Sequence, residues 1–135
     1  MSAQTEHEEA LIRAFILPER QSRYLELLLN PKRRRDITKT LAHFKHLDMR
    51  FVAAIPSTHH LAPGIISLLR SKGAGETCYV ISEDDELDGN HMALEDAFSA
   101  IFGRGIGTFL SCIKGKLGYF EDEDENWILE RKGKC

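Results

Sequence analysis

The sequence predicts an α/β fold, with N-terminal helices followed by βαβαβββ and a small mixed sheet holding two central parallel strands. Three observations carry that expectation. Apolar residues at helical spacing fill residues 1–48, and continuous apolar runs of strand length follow at 51–55 and 78–81. Two strand-like runs then flank Lys114-Gly115. The 135 residues read as one domain, 1–48 being a helical N-terminal segment and 50–131 the sheet portion.

Leu11, Ala14 and Phe15 mark one stripe over residues 8–17, stopped near Pro18. Tyr24, Leu25, Leu28 and Leu29 mark a second helix over 19–29. Asn30 followed by Pro31 opens a third, on which Ile37, Leu41 and Phe44 fall at i, i+4 and i+7. Phe51 to Ile55 is apolar without alternation, as a strand covered on both faces should be. Leu61 to Leu69 reads as a helix closed by Lys72 and Gly73. Cys78 to Ile81 repeats the two-sided strand pattern, and Met92 to Phe102 reads as another helix ended by Gly103. Strand, helix, strand in short succession implies parallel strands joined by a right-handed crossover. Thr108 to Ile113 and Lys116 to Phe120 form an antiparallel hairpin through Lys114-Gly115. Trp127 to Leu129 makes a last strand after an acidic turn, with Trp127 covering the core.

Charge divides unevenly along the chain. Residues 1–50 carry +3 and residues 51–135 carry −6. Such a chain can attract its own opposite half, a partner, or a polyanion. Glu6, Glu8 and Glu9 precede any apolar run, which is not the order of a signal peptide, and no apolar run is long enough to span a bilayer. Cys78, Cys112 and Cys135 match no zinc or thioredoxin spacing and imply free thiols in a reducing, cytoplasmic setting, with no membrane partner. Cys78 and Cys112 fall within strands and read as core thiols. No G-x-S-x-G elbow is present.

In open α/β sheets ligands bind beyond the carboxyl ends of parallel strands. Here those ends are Ser57-Thr58-His59-His60 and Ser82-Glu83-Asp84-Asp85-Glu86, and adjacent strands would open both onto one crevice. The acidic run fits the D-x-[DN]-x-[DN]-G-x5-E calcium-loop pattern, with Asp84, Glu86, Asp88, Gly89 and Glu95 at positions 1, 3, 5, 6 and 12. It departs from that pattern in Glu86 at position 3 and His91 at position 8. The expected cofactor, if any, is a divalent cation, calcium or magnesium. With magnesium or manganese, Asp84, Asp85, Glu86 and Asp88 of the acidic loop 83–88, with His59 or His60 as base or ligand, would serve phosphoester hydrolysis. The plain alternatives are a solvated acidic loop before a helix N-terminus and histidines at a solvated helix start.

Lys32, Arg33, Arg34 and Arg35 form a basic cluster which, with Arg20, Arg23, Lys39 and Lys45, could contact nucleic-acid phosphates. Asp36 interrupts it, no aromatic residues interleave, and the acidic half of the chain competes for the same charges. Gly103-Arg-Gly-Ile-Gly107 resembles the glycine-rich loop of small MutS-related nuclease domains over residues 104–113, and the order of elements is similar. Phe102 stands where that family has histidine, so the nuclease activity is not carried over. Helix stop and strand start account for the glycines, and Glu121 to Glu125 read as a solvated hairpin end. The best-supported expectation is a non-enzymatic binding or interaction module with a protein partner or a second copy. The hydrolase and the nucleic-acid binder are the alternatives.

Overall fold

The computed structural model describes residues 3–131. Helix α1 spans Ala3–Phe15, and Pro18–Arg20 forms a 3₁₀ turn leading into α2, Gln21–Leu28. The third helix, α3, is only Arg34–Thr38. Asn30 Oδ1 accepts from the Lys32 amide, so Asn30 caps a turn before that helix. The Thr40 hydroxyl donates to the Ile37 carbonyl at 2.7 Å. A threonine that satisfies this carbonyl with its side chain gives the backbone an alternative to the next helical turn. The predicted stripe therefore breaks, with Leu41 in a separate 3₁₀ turn and Phe44 extended.

Strand β1 is Val52–Ala53 and α4 is Ala62–Ser71; β2 is Thr77–Ser82, β3 is His91–Ala93 and α5 is Leu94–Ile101. The last three strands are β4 at Thr108–Ile113, β5 at Leu117–Glu121 and β6 at Asn126–Glu130. They form one six-stranded sheet in the order β1-β6-β5-β4-β2-β3, and every pairing is antiparallel.

The expectation of two central parallel strands is thus overturned. Strand β1 sits at one edge, and β6, β5 and β4 lie between it and β2. Four antiparallel pairings separate the two, so they point the same way without touching. What the sequence pattern missed is β3. It turns the acidic run into a hairpin loop rather than the start of a crossover, and α5 then returns the chain to the other flank of β2 as β4.

The continuous apolar runs do report burial on both faces. Tyr79, Ile81, Phe109, Phe120 and Leu129 pack under α1 and α2 on one face. Cys78, Val80, Leu110, Tyr119 and Ile128 pack under α4 and α5 on the other. The alternation of side chains along each strand delivers one set to each layer. Trp127 packs against the first cluster as a partly buried residue. Gly115 turns the β4–β5 hairpin at φ +69°, as Lys114-Gly115 predicts.

Candidate functional site

The register gathers one row of residues across the end of the sheet. Ser82 pairs with Thr108, Thr108 with Glu121, and Glu121 with Asn126. Beyond that row lie three loops: the acidic β2–β3 hairpin, the glycine-rich α5–β4 loop and the β5–β6 turn. Residues 83–88 and 121–125 bring five carboxylates each to this end.

Part of this charge organises the loops. Asp88 Oδ1 accepts from the Ser82 amide at 3.0 Å, and Asp84 Oδ1 accepts from the Glu86 amide at 2.9 Å. Glu83 Oε1 accepts from the Gly107 amide at 2.8 Å. Gly107 is required by contact, since a Cβ there would lie 2.1 Å from the Leu41 carbonyl carbon. Glu121 is buried, contrary to its expected place in a solvated hairpin end. Its carboxylate accepts from the Gly103 amide at 2.9 Å and from the Tyr119 hydroxyl at 2.7 Å. Burial raises its pKa, against the pull of those donors. The glycine-rich loop thus turns its amides to the protein's own carboxylate.

The basic cluster faces the acidic loop. Arg34 forks onto Asp88 at 2.6 and 3.0 Å and reaches Glu8 at 2.7 Å. Arg35 pairs with Asp85 at 2.9 Å and donates to the Glu83 carbonyl at 2.8 Å. Arg33 pairs with its helix neighbour Asp36, while Lys32 is exposed.

The calcium-loop positions do not converge. Strand β3 carries the chain away along β2, and Glu95 ends on α5 in an ion pair with Arg70 of α4. Among the described residues, no group of three or more His, Cys, Asp or Glu is placed to hold a metal ion. His59 and His60 follow β1, on the far side of three intervening strands from the acidic loop. At about 4.8 Å per strand, β1 and β2 are separated by roughly 19 Å. The shared crevice expected for the hydrolase does not form.

Sequence reasoning missed a second cluster on β2. Glu8 is buried, pairs with Arg34 and accepts from the Tyr79 hydroxyl. His7 stacks on Tyr79 at 5.4 Å between ring centres, meets His91 edge-on at 5.2 Å, and has Nδ1 2.9 Å from Ser111 Oγ. Desolvation raises the Glu8 pKa and lowers that of His7, with His91 and Lys114 adding to the His7 shift. A signal was present, because Glu8 lies three and four residues before Leu11 and Ile12 on the apolar face of α1. A cleft of about 430 Å³ opens beside Glu8, Arg34, Tyr79 and Asp88. A larger groove of about 700 Å³ runs between α4 and α5 over Ala62, Ile66, Phe98 and Phe102.

Among the described residues, no helix is long and apolar enough to cross a membrane. No protein-family model, curated protein or solved structure matches this chain. The functional reading therefore rests on its own geometry.

Proposed function

We propose that the protein is a binding module that presents the acidic end of its sheet to a cationic partner, such as a lysine- or arginine-rich protein segment. The observation that carries this reading is the gathering of ten carboxylates from two separate loops at one end of the sheet. Arg34, Arg35 and Arg104 oppose them there. A patch of one sign raises the local concentration of oppositely charged ligands and speeds encounter, with an effect that salt screens over about 8–10 Å. Glu86, Asp124 and Glu125 are exposed and face outward from the loops. The nucleic-acid alternative is weaker, since Arg33, Arg34 and Arg35 are held in ion pairs within the chain.

The test is titration with a lysine-rich peptide, followed by calorimetry at two salt concentrations. Glu86→Lys, Asp124→Lys and Glu125→Lys together should weaken binding about tenfold or more, equivalent to roughly 1.4 kcal/mol. Glu26→Lys, Glu76→Lys and Asp96→Lys make the same change in net charge at exposed positions elsewhere and should have a smaller effect. Equal losses from the two sets would reduce the site to bulk charge and refute it.

A further inference from the structure

Two of the three cysteines lie on neighbouring strands of the sheet. Tyr79 and Ser111 are the last pair of the β2–β4 ladder at this end, and Cys78 and Cys112 come next on the two strands. The type of pair they would make follows from the hydrogen bonds on the other flank of β2. The Val80 amide donates to the Asn90 carbonyl, and the Leu94 amide donates to the Glu76 carbonyl. Glu76, Cys78 and Val80 thus direct their backbone groups toward β3, while Tyr79 and Ile81 direct theirs toward β4. A regular ladder carried one step past Tyr79 and Ser111 would make Cys78 and Cys112 a non-hydrogen-bonded pair, the closer of the two antiparallel types, whose Cα atoms typically lie about 4.5 Å apart. That spacing falls within the range of about 4.4–6.8 Å that a disulfide bridges. Both side chains belong to the cluster under α4 and α5, so they share a face. Cys112 is also the extra residue of a bulge between Ser111 and Ile113 against β5. Both thiols are free, Cys78 buried and Cys112 partly exposed.

We infer that Cys78 and Cys112 form an oxidative modification site, closing to a cross-strand disulfide when the folded protein meets a peroxide. Cys112 is the more accessible thiol and reacts first. Its sulfur takes one peroxide oxygen to become a sulfenic acid, and hydrogen peroxide leaves as water. The Cys78 sulfur then attacks the sulfenic sulfur, the S–S bond forms, and the hydroxyl departs with the Cys78 proton as a second water. Two thiols are oxidised and one peroxide is reduced. Burial pushes the Cys112 thiol up to about 12 and raises that of Cys78 as well, so thiolate is scarce and closure is slow at neutral pH.

The test uses the full chain with Cys135→Ser, leaving two thiols. The folded protein is treated with hydrogen peroxide at several pH values, quenched, alkylated and mapped by mass spectrometry. Both thiols should disappear together, with the peptides containing Cys78 and Cys112 joined, at a rate rising about tenfold per pH unit. The joined form should melt several degrees above the reduced form. Two free thiols after prolonged treatment at the highest pH would overturn the inference. So would Cys112 running on to sulfinic acid with Cys78 still free, or a joined form that melts below the reduced one.

Discussion

Replacing Arg34 with alanine should be among the most damaging single changes available to this fold. Its guanidinium forks onto Asp88, reaches Glu8, and donates to the Leu28 carbonyl at 3.3 Å. The side chains of Glu8 and Asp88 are 4% and 11% exposed. Removing the cation leaves two carboxylates in a low-dielectric setting, facing each other's charge. Removing one partner of a buried ion pair costs about 3–5 kcal/mol, mostly as the penalty of the charge left behind. For a domain of this size each kcal/mol moves the melting midpoint by roughly 3–5 °C, so Arg34→Ala should lower it by about 10–20 °C. Urea unfolding of the wild type and the variant gives the free energy directly. Arg34→Met combined with Glu8→Leu and Asp88→Asn should recover much of the loss, because an uncharged set of similar volume carries no stranded charge. A loss below about 1 kcal/mol for Arg34→Ala would refute the reasoning, for it would make the network no stronger than a surface pair.

Other expectations follow from the same contacts. Burial raises the Glu8 pKa in the folded state, so its stabilising contribution is full below the ordinary glutamate value and is lost as pH rises through the raised one. Glu8→Gln should flatten that limb of a stability–pH curve measured by urea unfolding. His7 has the opposite sign, since its lowered folded pKa makes the protein lose stability as pH falls below the ordinary histidine value. His7→Phe keeps the ring on Tyr79 and should flatten the acid limb measured by thermal melts. Gly107→Ala should cost about 3 kcal/mol or more, because the new Cβ meets the backbone of Leu41 and Ala42 rather than a yielding side chain. A near-normal melting midpoint for that variant would contradict the close approach.

The sequence made the layers legible but not the direction of the strands. An unbroken run such as Cys78 to Ile81 says only that both faces of a strand are covered. Helices on both sides of an antiparallel sheet satisfy that as well as a parallel sheet does. The deciding element was β3, whose three residues are too few to show a period and sit between an acidic turn and a strongly amphipathic helix. Without it, strand and helix read as a crossover. The Lys114-Gly115 hairpin was legible because its turn chemistry is local. The candidate site was half legible. Its acidic run stood out as a string, yet the partners that fix it come from α1 and α3, whose docking no local pattern records. Arg34 looks like its neighbours in sequence and differs from them in facing Glu8 and Asp88.

The acidic end divides its charge between two tasks, and the division can be tested on stability alone. Glu83, Asp88 and Glu121 point inward and accept from Gly107, Ser82 and Gly103, so their charge is compensated by amides of the neighbouring loops. Glu86, Asp124 and Glu125 are exposed, among carboxylates of the same sign. Each of the inward carboxylates is the acceptor for a backbone amide, and losing a hydrogen bond to a charged group costs about 1.5–3 kcal/mol. An exposed charge among like charges contributes nothing or opposes folding. Glu121→Gln should therefore lower the melting midpoint by several degrees, while Glu86→Lys, Asp124→Lys and Glu125→Lys together should leave it unchanged or raise it. A triple variant that unfolds as readily as Glu121→Gln would mean that the outward carboxylates are structural after all. Their exposure would then no longer argue for a partner.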